Sequence, residues 1–200
     1  MHPLRNNAEG ERVMITTTLN RIREHSPSPL EWEKLLTGLG KTKADNEPLP
    51  FATILEINNL YDALWCCRVE PQYAKEWRLF AVTCARRVQY INTDPRVKNT
   101  IDAAERYANG QATNEELRAA GDAAWAAACA AARAAAGDAA CAAARAAAWA
   151  AAGDAAWAAA WAAAWAAAWA AGDACAAERE WQGKEFLRVV TETEAREDGE

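Results

Sequence analysis

The chain has 200 residues, 52% of them hydrophobic, and a formal net charge of −6, enough for one sizeable core or two small ones. An isoelectric point near 5.1, with no Lys/Arg run, leaves neither a global nor a local basic field to gather nucleic acid. The six cysteines include no C-x-x-C pair and the only histidines are His2 and His25, so no zinc site, and no other metal or cofactor, is expected.

Residues 1–17, beginning MHPLRNNAEGERV, lack the apolar core of a signal peptide and read as a flexible leader, with Met14 as an alternative start. A cytoplasmic, reduced chain is the default expectation. From Thr18 the sequence becomes a string of short helices. TLNRIREH sets Leu19 and Ile22 on one face and stops at SPSP. LEWEKLLT turns Trp32, Leu35 and Leu36 inward, with Gly38 and Gly40 as stop signals. After the polar linker KTKADNEPLP, Pro50 suits the first position of FATILEIN, and Asn58-Asn59 separates that helix from LYDALWCCRV. Glu70-Pro71 closes it.

YAKEWRLFAVTCARRVQYI is the best-defined element. Tyr73, Trp77, Phe80, Cys84, Val88 and Ile91 recur at three- and four-residue steps and fall within a narrow arc. Lys75, Arg78, Arg86 and Gln89 lie opposite, yet Leu79 and Val82 border that charged arc, the pattern of a helix packed on two sides. Asp94 and Pro95 read as cap and first turn of a helix ending at Asn109-Gly110. Thr113 and Glu116 form the T-x-x-E capping box of the next helix, which leads into an alanine-rich tract. No alternating strand pattern of useful length occurs. The expected class is all-α: a short-helix bundle over residues 18–117, an Ala/Trp-rich helical repeat over 118–182 and an acidic tail over 183–200.

In the repeat the marked positions advance by four through Trp125, Cys129, Arg133, Cys141, Arg145, Trp149, Trp157, Trp161, Trp165 and Trp169. Each step of four rotates the stripe by about 40° on an α-helix, so one unbroken straight helix would show indoles all round. Gly-Asp pairs recur at 121–122, 137–138, 153–154 and 172–173. Glycine is a poor interior residue and a good stop, and aspartate a good N-cap, so each pair is expected to break or kink the helix and stack successive units. A continuous helix wrapped by neighbours is the competing picture. Ala155 to Ala171 carries no charge, but it falls short of the roughly 20 apolar residues of a span, and its tryptophans run through the middle instead of forming end belts. No membrane partner is expected. An exposed indole row would exceed the apolar patch of an ordinary monomer, so burial between helices or against a second chain is expected, with ligand stacking as the alternative. Arg133 and Arg145 share the register, to stack on Trp149 or another indole or to pair with the repeat aspartates.

Two blocks carry a resemblance: residues 35–117, from LLTGLGKTKADNEPLP through GQATNEEL, and the (A-A-[WRC]-A) tract behind them. Together, over roughly residues 18–182, they resemble an immunity-protein-like family of bacterial and phage genomes, which joins a helical N-terminal region to an Ala/Trp/Arg tract of variable length. The residues that match are Asp62, Ala63, Leu64, Trp65 and Arg68, then Arg78 to Ala81, Cys84 to Arg86, and Asp94 and Arg96. Where that family generally carries a tryptophan, this chain has Thr83. The resemblance implies a protein that neutralises a toxin by binding it.

Catalysis has little support in the residues. Cys66 or Cys67 beside Arg68 has no plausible histidine base, and there is no phosphate loop, no H-E-x-x-H and no carboxylate pair of diagnostic spacing. Asp62 and Arg68 around Trp65 read as surface charges beside a buried anchor. The expected function is a non-catalytic helical binding protein, an immunity factor whose acidic surface, ending in ETEAREDGE, suits a basic toxin. Two alternatives stay open: an accessory or counter-defence protein binding a host factor or small ligand through the repeat, and a self-assembling homo-oligomer. Candidate binding positions are Trp65, Arg68, Arg78, Arg86, Arg133, Arg145, Trp149, Trp157, Trp161, Trp165 and Trp169.

Overall fold

Thr18 and Asn59 each accept a hydrogen bond from a first-turn amide, and so begin two of the helices that build the core. Thr18 Oγ1 takes the Arg21 amide at 3.2 Å at the start of α1 (Leu19–Glu24), which buries Leu19 and Ile22. Asn59 Oδ1 takes the Asp62 amide at 3.0 Å at the start of α4 (Leu60–Cys66). Between them lie α2 (Pro29–Gly38) and α3 (Phe51–Ile57). In this computed structural model residues 12–91, 94–133 and 173–194 are described. Short 3₁₀ turns at Cys67–Val69 and Pro71–Tyr73 lead into α5 (Ala74–Val88). Then come α6 (Pro95–Ala108), α7 (Asn114–Arg133) and α8 (Asp173–Thr191). The class is all-α, and the described strands are two residues long: β1 (Arg12–Val13), β2 (Thr16–Thr17), β3 (Leu49–Pro50) and β4 (Thr193–Glu194).

One core joins these elements. Trp77 and Phe80 of α5 meet Phe51 of α3 and Phe186 of α8, with Trp77–Phe51 centroids 5.3 Å apart and Phe80–Phe186 centroids 5.6 Å apart in an edge-on arrangement. Ile15, Ile54, Leu64, Val97 and Ile101 complete the same cluster. The polar linker between α2 and β3 is pinned by Lys41 Nζ, 2.5 Å from Asp45 and 2.6 Å from Glu47. Under the core, Glu70 is fully buried where α4 gives way to α5. Its carboxylate lies 2.7 Å from Arg21 of α1, and its carbonyl accepts the Trp77 indole N–H at 3.1 Å.

The two faces expected of the Tyr73–Ile91 segment are both used. Trp77, Phe80 and Cys84 of its apolar arc are buried in the core, and Val82 on the other side is buried as well. The assignment of Arg78 to a charged outer arc needs correction: its residue is only 3% exposed, because α6 covers that side and Tyr107 offers its ring to the guanidinium at 5.0 Å. Asp94 caps α6 as expected, accepting the Arg96 amide at 2.8 Å. The T-x-x-E box closes reciprocally, with the Thr113 amide donating to Glu116 at 2.7 Å and the Glu116 amide to Thr113 Oγ1 at 3.2 Å. α6 and α7 form a helical hairpin around Gly110, whose φ of +70 suits a glycine. Thr100 Oγ1 of buried Thr100 donates across the pair to the Ala120 carbonyl at 2.7 Å. Thr83 Oγ1 donates back to the Leu79 carbonyl at 2.9 Å.

Three boundaries differ from expectation. α7 runs unbroken through Gly121-Asp122. One glycine costs a helix interior about 1 kcal/mol, and alanine flanks together with Leu117 and Ala124, both buried, hold the helix on past it. The other Gly-Asp pairs at 137–138 and 153–154 lie outside the described residues. The leader does not extend to residue 17: Ile15 is fully buried, donates its amide to the Val190 carbonyl at 2.8 Å and accepts the Phe51 amide at 3.2 Å. Residues 183–194 are not a tail either. Phe186 and Val190 are core residues, and β4 pairs antiparallel with β1, Arg12 opposite Glu194. The apolar spacing of Phe186 and Val190, four apart on one helix face, outweighs the charges around them.

Gly38, the last residue of α2, is where that helix meets α3 most closely: a Cβ there would lie 2.5 Å from Ile57 Cγ2. Gly38→Ala is expected to destabilise by about 1–3 kcal/mol, seen as a lower urea midpoint, and adding Ile57→Ala should recover part of the loss by vacating the space.

Candidate functional site

The break between α3 and α4 is made by two asparagines, and both also face a cleft. Asn58 leaves helical geometry at φ −95, ψ −92, and Asn59 is extended at φ −177, ψ 177 before α4 starts. The cleft beside them holds about 400 Å³. Ile22, Leu35 and Ile54, all buried, form its floor; Trp32, Tyr61 and Trp65 are its aromatic walls, and Glu31 and Asp62 its acids.

Asn58 ties the two acids together. Its Nδ2 donates to the Glu31 carbonyl at 3.0 Å and reaches Asp62 Oδ2 at 3.3 Å and Glu31 Oε2 at 3.5 Å. These three acceptors fix the amide orientation, because a flipped Asn58 would turn oxygen toward oxygen. Asn58 Oδ1 is left buried with no hydrogen-bond partner. Asn59 Nδ2 donates to Asp62 Oδ2 at 2.9 Å. Lys34 of α2 spends its ammonium on the Asn58 carbonyl at 2.9 Å. Among the described residues neither Glu31 nor Asp62 forms an ion pair, whereas buried Glu70 and Glu178 each meet an arginine.

The electrostatic result is a carboxyl that titrates high. Burial, then the hydrogen bond and charge of Glu31, push Asp62 up to about 6, against the opposing pull of Asn58 and Lys34. The folded chain therefore binds more protons than the unfolded one between the ordinary aspartate value and about 6, so stability falls as pH rises through that window. Asp62→Asn is expected to flatten this slope and to raise stability at pH 7.5 by about 1 kcal/mol, a figure discounted for solvent screening at a half-open site. Urea unfolding at pH 5 and pH 7.5 measures it: an unchanged slope would place the titration elsewhere.

Cys66 also borders the cleft, but burial and then the nearby Asp62 charge push its thiol up to about 12. Burial likewise raises Cys67 and Cys84 well above the ordinary thiol value. All three are protonated at neutral pH and poor nucleophiles.

Of the positions expected to bind, Trp65 lines the cleft, and Arg68 lies over its ring at 4.5 Å while Arg68 Nε donates to the Trp65 carbonyl at 2.9 Å. Arg78 and Arg86 do not join them. Arg78 is under Tyr107, and Arg86 pairs with Asp102 at 3.0 Å and with Glu105, so both brace α5 against α6. Arg133 ends α7, and its side chain lies outside the described residues, as do Arg145, Trp149, Trp157, Trp161, Trp165 and Trp169. Glu31, Trp32, Asn58, Tyr61 and Asp62 were not expected as site residues, and Asp62, which reads as a surface charge in the sequence, is half-buried in the cleft. The three-residue spacing of Asp62 and Trp65 already places them on one face of α4, but Asn58 sits in the break before that helix and Glu31 arrives from another, so neither left a trace in that spacing.

No protein-family model matches the chain, and neither a curated protein nor a solved structure matches it. Among the described residues no cluster of His, Cys, Asp and Glu is placed to hold a metal, and no helix is long and apolar enough to cross a membrane.

Proposed function

We propose that the chain is a non-catalytic helical binding protein whose cleft face engages a basic protein partner, in the manner of an immunity factor neutralising a toxin. The observation that carries this reading is the cleft between α2 and α4. It sets two carboxyls, neither in an ion pair among the described residues, beside aromatic walls, on a chain of net charge −6. Partly apolar concavities with a few fixed polar groups are where ligands dock, and negative charge speeds the encounter with a basic surface. Exposed Leu30 and Tyr61, 77% and 66% accessible, extend the apolar contact beyond the cleft. The raised thiols support binding over covalent chemistry.

Co-expression with toxins encoded beside the gene tests the proposal. Rescue of growth that fails with Glu31→Gln or Asp62→Asn, both still folded by circular dichroism, supports it. Absence of rescue by the folded wild-type chain overturns the immunity reading. An enzyme built on the same carboxyl pair would instead consume its ligand, with turnover lost in Asp62→Asn; saturable association without consumption separates the two.

A further inference from the structure

The described fold repeats one way of satisfying acids and aromatic rings. Arg87 lies 4.3 Å over Trp181 and 2.5 Å from Glu178, so a single guanidinium serves an indole and a buried carboxylate together. Arg68 covers Trp65, Arg78 covers Tyr107, and Arg21 meets Glu70. The cleft has the same ingredients, with the cation missing: Glu31 and Asp62 stand among Trp32, Tyr61 and Trp65, and no described arginine or lysine pairs with either acid. Two half-buried carboxyls facing each other repel once both are ionised, and a low-dielectric wall strengthens that repulsion. Behind them Asn58 Oδ1 is one more acceptor without a donor. The cleft therefore presents an excess of acceptors and flat apolar walls, inside a volume of about 400 Å³.

We propose that this cleft is a receptor for one guanidinium group, the side chain of an arginine on the partner, held between the Glu31 and Asp62 carboxyls and the rings of Trp32 and Tyr61. The inference rests on the reading of the cleft as the binding face and names the chemistry it takes. A guanidinium fits better than an ammonium because it is planar, weakly hydrated, stacks on aromatic faces and presents five donors to paired oxygens. Charge balance gives a second consequence. A cation between the acids favours the ionised form of Asp62, so binding releases a proton in the pH range where Asp62 is partly protonated, and acid weakens binding. The charged and titratable groups facing Asp62 are Glu31 and Lys34 from α2 and the Cys66 thiol from α4. α1 and α3 contribute Ile22 and Ile54, and the break after α3 contributes Asn58, none of which titrates.

The test uses the full-length chain and N-acetyl-arginine methylamide as probe, with the uncharged isostere N-acetyl-citrulline methylamide as control. Indole N–H resonances of Trp32 and Trp65 should shift saturably with the arginine probe. The citrulline probe, and the arginine probe with Glu31→Gln or Asp62→Asn, should bind at least about tenfold more weakly, as expected for loss of a charge-assisted contact. Lowering the pH from 7.5 to 5 should weaken the arginine probe, and calorimetry near pH 6 in buffers of different ionisation heat should show proton release. Equal binding of arginine and citrulline, or no saturable shift in the folded wild type, overturns the inference whatever the outcome of toxin rescue. Arginine-selective binding without rescue upholds the guanidinium site and removes the immunity reading.

Discussion

Phe186→Ala is expected to lower the unfolding free energy by about 3–5 kcal/mol, the range for deleting a large aromatic side chain from a packed core. Phe186 is fully buried and touches three other aromatic rings: Trp77 stacked at 6.1 Å, Phe80 edge-on at 5.6 Å and Phe51 at 6.4 Å. Those rings come from α3 and α5, so a cavity at Phe186 loosens the contact of α8 with both. Val190, one turn further on, holds the strand segment through its carbonyl bond to Ile15, which makes the loss cooperative instead of local. Urea denaturation followed by tryptophan fluorescence measures it. A loss below about 1 kcal/mol would show that the end of α8 does not belong to the core. Leu187→Ala, one residue along and 41% exposed, is the internal control and should change stability by less than about 0.5 kcal/mol.

Arg21→Ala is expected to cost about 3 kcal/mol, although its own side chain is 45% exposed. The effect comes from what it leaves behind. Glu70 has a side chain only 1% exposed, its Oε1 already lacks a hydrogen-bond partner, and without Arg21 the remaining contact to its carboxylate is Gln72 Nε2 at 2.5 Å. Arg21 Nη2 also donates to the Val69 carbonyl at 2.8 Å, so α1 loses its tie to the turn before α5. Replacing both partners, with Arg21→Met and Glu70→Gln, should recover much of the loss, because the buried charge goes with its cation. A double variant as unstable as Arg21→Ala alone would assign the cost to packing by the arginine stem.

What could be read from the residues alone was mostly local. The Tyr73–Ile91 periodicity, the Asp94 cap and the Thr113–Glu116 box each involve neighbours within four positions, and the structure reproduces them. At Gly121-Asp122 capping preferences alone predict a break, which packing against α6 overrides by keeping α7 going. Charge was misleading twice. Arg78 looked like surface until α6 and Tyr107 covered it. Likewise the acidic composition of residues 183–200 hid Phe186 and Val190, whose burial depends on rings more than 100 residues away in sequence. The candidate site was half legible for the same reason: Asp62 and Trp65 share a face of α4 by spacing alone, and only folding brings Asn58 of the preceding break and Glu31 of α2 to them.

The pairing of β1 with β4, and of Ile15 with Val190, ties the first described strand to the last. Fraying at either segment therefore frees the other, because Ile15 and Val190 both belong to the same buried cluster.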